Sequence, residues 1–162
     1  MVCIRRATPA DLPAIETCSY MCLAETHRFP IYAEHLLWWP QLAYVAEDHR
    51  NKIVGYLLGT IIDPGTKRKQ NLQWRISDNR FGKTNFLAVM RPYRKMGIAT
   101  KLIEAAHEAF YYVFGVGQTG VRVSAINREA LIFFNKMGYK LRLTMPDFHG
   151  NGEDALVLVK QL

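Results

Sequence analysis

The run KTNFLAVM, residues 83–90, feeds through RPYRKMGIA into IATKLIEAAHEAFYYVF, and TGVRVSA comes next. The first and last stretches read as strands, whereas the middle one repeats its apolar residues at helical spacing. A strand, a helix and a second strand in succession make a crossover connection, which a helical bundle or an all-hairpin protein lacks. The rest of the chain supplies hairpins. LAYVAED and KIVGYLLGTII are β-rich runs joined by HRN, and YKLRLTM and DALVLVK form a final pair. CIRRA reads as an opening strand, and Thr8 with Asp11 makes a capping box for a helix from Asp11 to Met21. A second helix is expected from Tyr32 to Trp39, stopped by Pro40, and NREALIFFNKMG is an amphipathic helix closed by glycine. The order β-α-α-β-β-β-α-β-α-β-β calls for a mixed α/β sheet.

At 162 residues the chain suits a single domain that buries roughly 70 per cent of its unfolded surface. Cys3, Cys18 and Cys22 have no second cluster downstream, so they suggest neither a disulfide framework nor a metal site. No apolar run approaches the roughly 18 residues of a membrane span, and the expected address is cytoplasmic. The formal charge of +7 is concentrated. Between Pro64 and Lys83 stand Lys67, Arg68, Lys69, Arg75, Arg80 and Lys83 against Asp78 alone, a local +5. This basic insertion, about residues 64–83, reads first as a solvated loop; Trp74 and Phe81 keep a nucleic-acid contact open.

The turn MRPYRKMGIATKL carries the clearest chemical signal. A helix beginning near Gly97 leaves its first N–H groups without intrahelical acceptors, at the positive end of the dipole. Gly97 permits close approach, Ala99 keeps the first turn narrow, and Arg94 and Lys95 add charge-assisted donors, a set suited to a phosphate.

In its context this turn resembles the acetyl-coenzyme A signature of the GCN5-related acetyltransferases (GNAT), in which Arg or Gln is followed after two residues by Gly, any residue, and Gly or Ala. Arg94, Gly97 and Ala99 occupy those places. The resemblance implies the GNAT fold, a mixed, mostly antiparallel twisted sheet with a central splayed parallel strand pair and about four helices. It also implies that Leu87, Ala88 and Val89 hold the pantetheine arm through main-chain groups, while the amides of Arg94, Lys95, Met96, Gly97, Ile98, Ala99 and Thr100 cradle the pyrophosphate. NREALIFFNKMGYK is similar to the family's next segment and adds Asn127 and Phe134 to the cofactor-binding set. CLAE, WPQL, AED and GEDA resemble motifs of the catalytic subunit of NatA-type protein N-terminal acetyltransferases, carried by Cys22–Glu25, Trp39–Leu42, Ala46–Asp48 and Gly152–Ala155.

That resemblance implies transfer of an acetyl group from acetyl-CoA to the free α-amine of a nascent polypeptide. An α-amine of pKa roughly 7.7–8.0 is largely protonated at neutral pH, so a base is needed. Glu25 is the expected base, with His27 and His149 as further catalytic candidates. Here the family's CLPENY tyrosine is His27, its proline is Ala24, and its paired tyrosines before GEDA are Phe148 and His149. A tyrosine that donates a proton to the leaving thiolate in many acetyltransferases is Phe134, and a strand arginine is Ser124. The implied partners are a large helical auxiliary subunit and the ribosome, with Trp38, Trp39 and the first helices as the docking surface. The basic insertion is expected to cover the site, contact RNA or touch the auxiliary subunit. Two other readings remain: a GNAT enzyme acting on lysine side chains or small amines, and a non-catalytic acyl-CoA-binding adaptor.

Overall fold

In a computed structural model that describes residues 1–22, 29–64, 79–148 and 150–162, β1 (Cys3–Arg6) leads into the expected capping box. The Asp11 carboxylate accepts the Thr8 N–H at 2.7 Å and receives both arms of the Arg5 guanidinium at 2.8 and 2.9 Å. Helix α1 (Leu12–Cys22) follows, then α2 (Phe29–Trp38). The second helix starts three residues before the expected Tyr32 because Pro30 lies in its first turn, where a missing N–H costs nothing. The hydroxyls of Ser19 and Tyr32 share a buried hydrogen bond that ties the two helices together.

The chain then makes β2 (Ala43–Glu47), β3 (Ile53–Ile62), β4 (Phe81–Val89), α3 (Ile98–Glu108), β5 (Gln118–Ser124), α4 (Arg128–Lys136), β6 (Lys140–Met145) and β7 (Ala155–Gln161). The succession is the one read from the sequence. Two further boundaries bear on the site. Strand β4 begins at Phe81, which is fully buried beside Val157, so Phe81 and Gly82 join Lys83 in the strand rather than belonging to the basic insertion. Helix α3 ends its regular turns at Glu108 and widens into π-type bonding over Ala109–Val113, with the Phe114 N–H donating to the Ala109 carbonyl at 3.2 Å.

Seven strands form one sheet in the order β1-β2-β3-β4-β5-β7-β6. Every neighbouring pair is antiparallel except β4 with β5, the pair joined by the α3 crossover. That parallel ladder holds only Gly82–Thr119, Lys83–Gly120 and Thr84–Val121. Beyond Thr84, β4 stays paired with β3 as far as Val89, and β5 stays paired with β7 as far as Ser124. The two strands therefore part, and the β4 edge that faces β5 has no strand partner from Asn85 onward.

Each face of the sheet carries its own core. On one side α3 packs Ile98, Leu102, Ile103, Ala106 and Phe110 against Leu57, Val121, Val123 and Leu158. On the other, Ile15, Cys18, Tyr32 and Leu36 from α1 and α2 cover Tyr56, Leu58 and Ala88. Phe110 lies so close to the sheet that a Cβ on Gly82 would stand 2.5 Å from its ring. Glycine at 82 is thus a packing requirement, and it sits in the short parallel ladder.

Candidate active site

The turn between β4 and α3 is built as the sequence suggested. Gly97 caps α3 with φ 80°, and Lys95 before it also has positive φ, 62°. The first backbone bond of the helix runs from the Lys101 N–H to the Gly97 carbonyl at 3.1 Å, so Ile98, Ala99 and Thr100 present N–H groups that no helical carbonyl can reach. A Cβ built on Gly97 would meet no atom within 4 Å, so the side of the turn at this glycine is open. Ile98 anchors the turn in the core, Ala99 packs at its margin, and Met96 is 61% exposed. The Arg94 Nε donates to the Val89 carbonyl at 2.9 Å, fastening the turn to the end of β4. Tyr93 reinforces it, its hydroxyl donating to Asp48 Oδ2 at 3.0 Å. Asp48 also accepts the Arg50 and Lys52 N–H groups, and these bonds hold its carboxyl below the usual range, the Lys52 bond contributing most. The AED aspartate is therefore the post that joins the β2–β3 turn to the β4–α3 turn.

Leu87, Ala88 and Val89 face Leu57, Tyr56 and Gly55 of β3 across the ladder, with their other edge on the parting of β4 from β5. Phe134 is buried in the α3-side core, its ring edge-on to Tyr139 at 5.0 Å, in the cluster that also receives Leu87. Asn127 caps α4, its Oδ1 accepting the Ala130 N–H at 3.2 Å. Glu25, His27 and His149, the three expected catalytic residues, lie outside the described residues, as do residues 65–78 of the basic segment.

The opposite side of the parting is polar. A register shift between Leu58 and Gly59 pairs Leu58 with Phe86 and Gly59 with Thr84, so Asn85 is an extra residue in β4. At this bulge both Asn85 and Phe86 turn toward α2. The Phe86 ring packs against His35 and Tyr32 at 5.4 and 5.5 Å, while Asn85 Nδ2 lies 3.1 Å from His35 Nε2 and 3.0 Å from Thr60 Oγ1. Lys83, two residues back along β4, shares that face; burial first, and the Arg122 charge second, push its ammonium down to about 8. The Arg122 guanidinium stacks 4.2 Å above the Phe148 ring, at the end nearest the β6–β7 loop.

A helix start with open N–H groups, an unpaired strand edge and a polar floor thus lie along the β4 strand that parts from β5. The sequence profile of the acetyltransferase (GNAT) family matches residues 11–139. The chain belongs to the GNAT acetyltransferase family. Among similar GNAT proteins, the catalytic subunit NAA10 of the N-terminal acetyltransferase A complex of Arabidopsis thaliana is 39% identical over 100% of this chain and 79% of its own length. The N-alpha-acetyltransferase daf-31 of Caenorhabditis elegans is 32% identical over 98% of this chain and 82% of its own. A solved structure of Chaetomium thermophilum Naa20 in complex with a bisubstrate analogue superposes with a TM-score of 0.83, at 25% identity, over 99% of this chain and 86% of that one.

As a GNAT enzyme the protein uses acetyl-CoA as its acetyl donor, and the residues present fit that molecule. The open left-handed Gly97 and three unclaimed N–H groups suit a pyrophosphate, and the free β4 edge suits an amide-bearing arm. Lys83, Asn85, His35 and Arg122 had no place in the sequence-based site. Lys83 and Asn85 fall two apart around the buried Thr84, the one local sign that both face the same side of a strand.

Proposed function

We propose that this acetyltransferase acts on proteins, moving the acetyl group of acetyl-CoA onto the free α-amine of polypeptide chains. The 39% identity to an N-terminal acetyltransferase catalytic subunit over the whole chain carries this reading. Acetyl-CoA supplies the acetyl group as a thioester, and a thiolate of pKa near 8.5 is an adequate leaving group. The N–H groups of Ile98, Ala99 and Thr100, with Lys95 alongside, bind the pyrophosphate. The β4 edge at Leu87–Val89 aligns the pantetheine arm, and Asn127 and Phe134 border it. The amine attacks from the α2 face, because α3 fills the other. Glu25 takes the proton from the incoming ammonium, with His27 and His149 as further catalytic groups.

An auxiliary subunit is part of the proposal. Tyr20 and Met21 on α1, and Leu37 and Trp38 on α2, are 68–76% exposed, an apolar surface suited to a helical partner. Trp39 is taken up by the protein's own core, 6.0 Å from the Phe114 ring. The same reading places the enzyme at the ribosome in the cytoplasm, with the basic segment 64–80 toward RNA.

The test measures coenzyme A release with short peptides bearing free Ala, Ser, Met or Asp N-termini, against N-blocked lysine peptides. Turnover on free N-termini is expected, and turnover confined to blocked lysine peptides overturns the reading. In the same assay Glu25→Gln should lower kcat well over tenfold with the KM for acetyl-CoA nearly unchanged; an unaltered kcat removes Glu25 from the chemistry.

A further inference from the structure

The bulge at Asn85 fixes the direction of a side-chain amide. His35 Nδ1 lies 2.8 Å from the Ile31 carbonyl, which can only accept, so Nδ1 carries the ring proton. In neutral His35, Nε2 is then an acceptor, and the Asn85 group 3.1 Å away must be the amino end of the amide. Its second N–H goes to Thr60 Oγ1 at 3.0 Å. With both N–H groups committed, the Asn85 carbonyl oxygen points away from α2. It has no hydrogen-bond partner among the described residues, and Asn85 is only half-buried.

Its location gives that oxygen a use. Asn85 is the first β4 residue past the last rung of the parallel ladder, at the apex of the wedge where the acetyl group is delivered. On the α3 side the Phe110 ring lies against Gly59 and Gly82 and the core under α3 packs on the sheet, which leaves the α2 face for the acceptor. A polypeptide arriving there offers N–H groups that need acceptors once water is displaced. We propose that Asn85 is a docking residue for the acceptor chain, its side-chain carbonyl receiving an N–H from the first residues of the polypeptide. His35 and Thr60 are positioning residues that hold the amide in this sense. The inference rests on the polypeptide-acceptor reading above.

Binding of two probes separates the claims: coenzyme A alone, and coenzyme A joined through an acetyl bridge to the α-nitrogen of a tetrapeptide beginning with Ser. The wild-type enzyme should bind the conjugate more tightly than coenzyme A. Asn85→Leu should lose about tenfold of that advantage while its coenzyme A affinity stays put, in line with one lost hydrogen bond. Asn85→Ala, which adds no bulk at the bulge, is read the same way and guards against misfolding of the leucine variant. His35→Ala should erode the advantage without adding to the Asn85→Leu loss in the double variant. His35→Gln, whose amide oxygen can accept the same N–H, should restore it. Full retention of the advantage in both Asn85 variants overturns the proposal, as do additive losses in the double variant. If the wild type binds the conjugate no better than coenzyme A, the polypeptide reading falls and takes this one with it.

Discussion

Lys83 shows how far a residue's surroundings can outweigh its type. It lies in register with Thr60 on one side and Gly120 on the other, and its ammonium is held at about 8 by burial and by Arg122. A lysine titrates near 10.4 in the unfolded chain, so between pH 8 and that value the unfolded state binds the extra proton. Stability should therefore rise with pH across this window, the penalty being complete below it. Lys83→Met should stabilise the protein most at pH 7, and the gap to wild type should narrow toward pH 10 in urea titrations. Parallel curves for the two proteins would mean that the ammonium is not penalised by the fold. In the sequence this lysine both opens the strand KTNFLAVM and ends a cationic run that reads as solvated, and nothing there says that its ammonium is buried. Burial depends on strand pairing, which local composition does not encode.

At the level of elements, punctuation was legible and register was not. Helix α4 shows the first. Asn127 caps its start, and its end is a Schellman turn in which the Tyr139 N–H donates to the Phe134 carbonyl at 2.9 Å and the Gly138 N–H to Asn135 at 3.1 Å. Gly138 supplies the positive φ of 91°, and the Phe134 and Tyr139 rings make the contact that accompanies such a turn. Each of these residues is fixed by its neighbours in the chain, so a one-dimensional reading reaches them. The Asn85 bulge is fixed by β3, which lies more than twenty residues upstream, and nothing adjacent announces it. Gly82 is a similar case, since its need for glycine comes from Phe110 on α3. Gly82→Ala should cost about 1–3 kcal/mol through overpacking, measured as a shift in the urea midpoint. A midpoint within error of wild type would show that the Phe110 ring can move aside.

Across the whole molecule, acid should act through a buried histidine. His107 Nε2 meets the Tyr139 hydroxyl at 2.7 Å, and burial, then the Lys160 charge, lowers its pKa to about 4. The folded state keeps this ring neutral where the unfolded chain protonates it, near 6.5, so its contribution is whole above 6.5 and drains away as pH falls toward 4. His107→Gln, which can still bond Tyr139, should flatten that decline in thermal melts at pH 7, 5.5 and 4.5; an unchanged slope would assign the loss to other groups. The sheet has a further global property. Eight residue pairs join β3 to β4 and seven join β5 to β7, but three join β4 to β5. This seam divides the backbone into a leading half and a trailing half, and it is where the proposed function puts the acetyl donor. Amide exchange should slow on β5 and β7 when coenzyme A is added, more than on β1 and β2; uniform slowing would show that the halves already open as one unit. With the expected outcome, donor binding would clamp the two halves across their weakest seam and release of the spent carrier would free them, making each catalytic cycle also a cycle of mechanical loading.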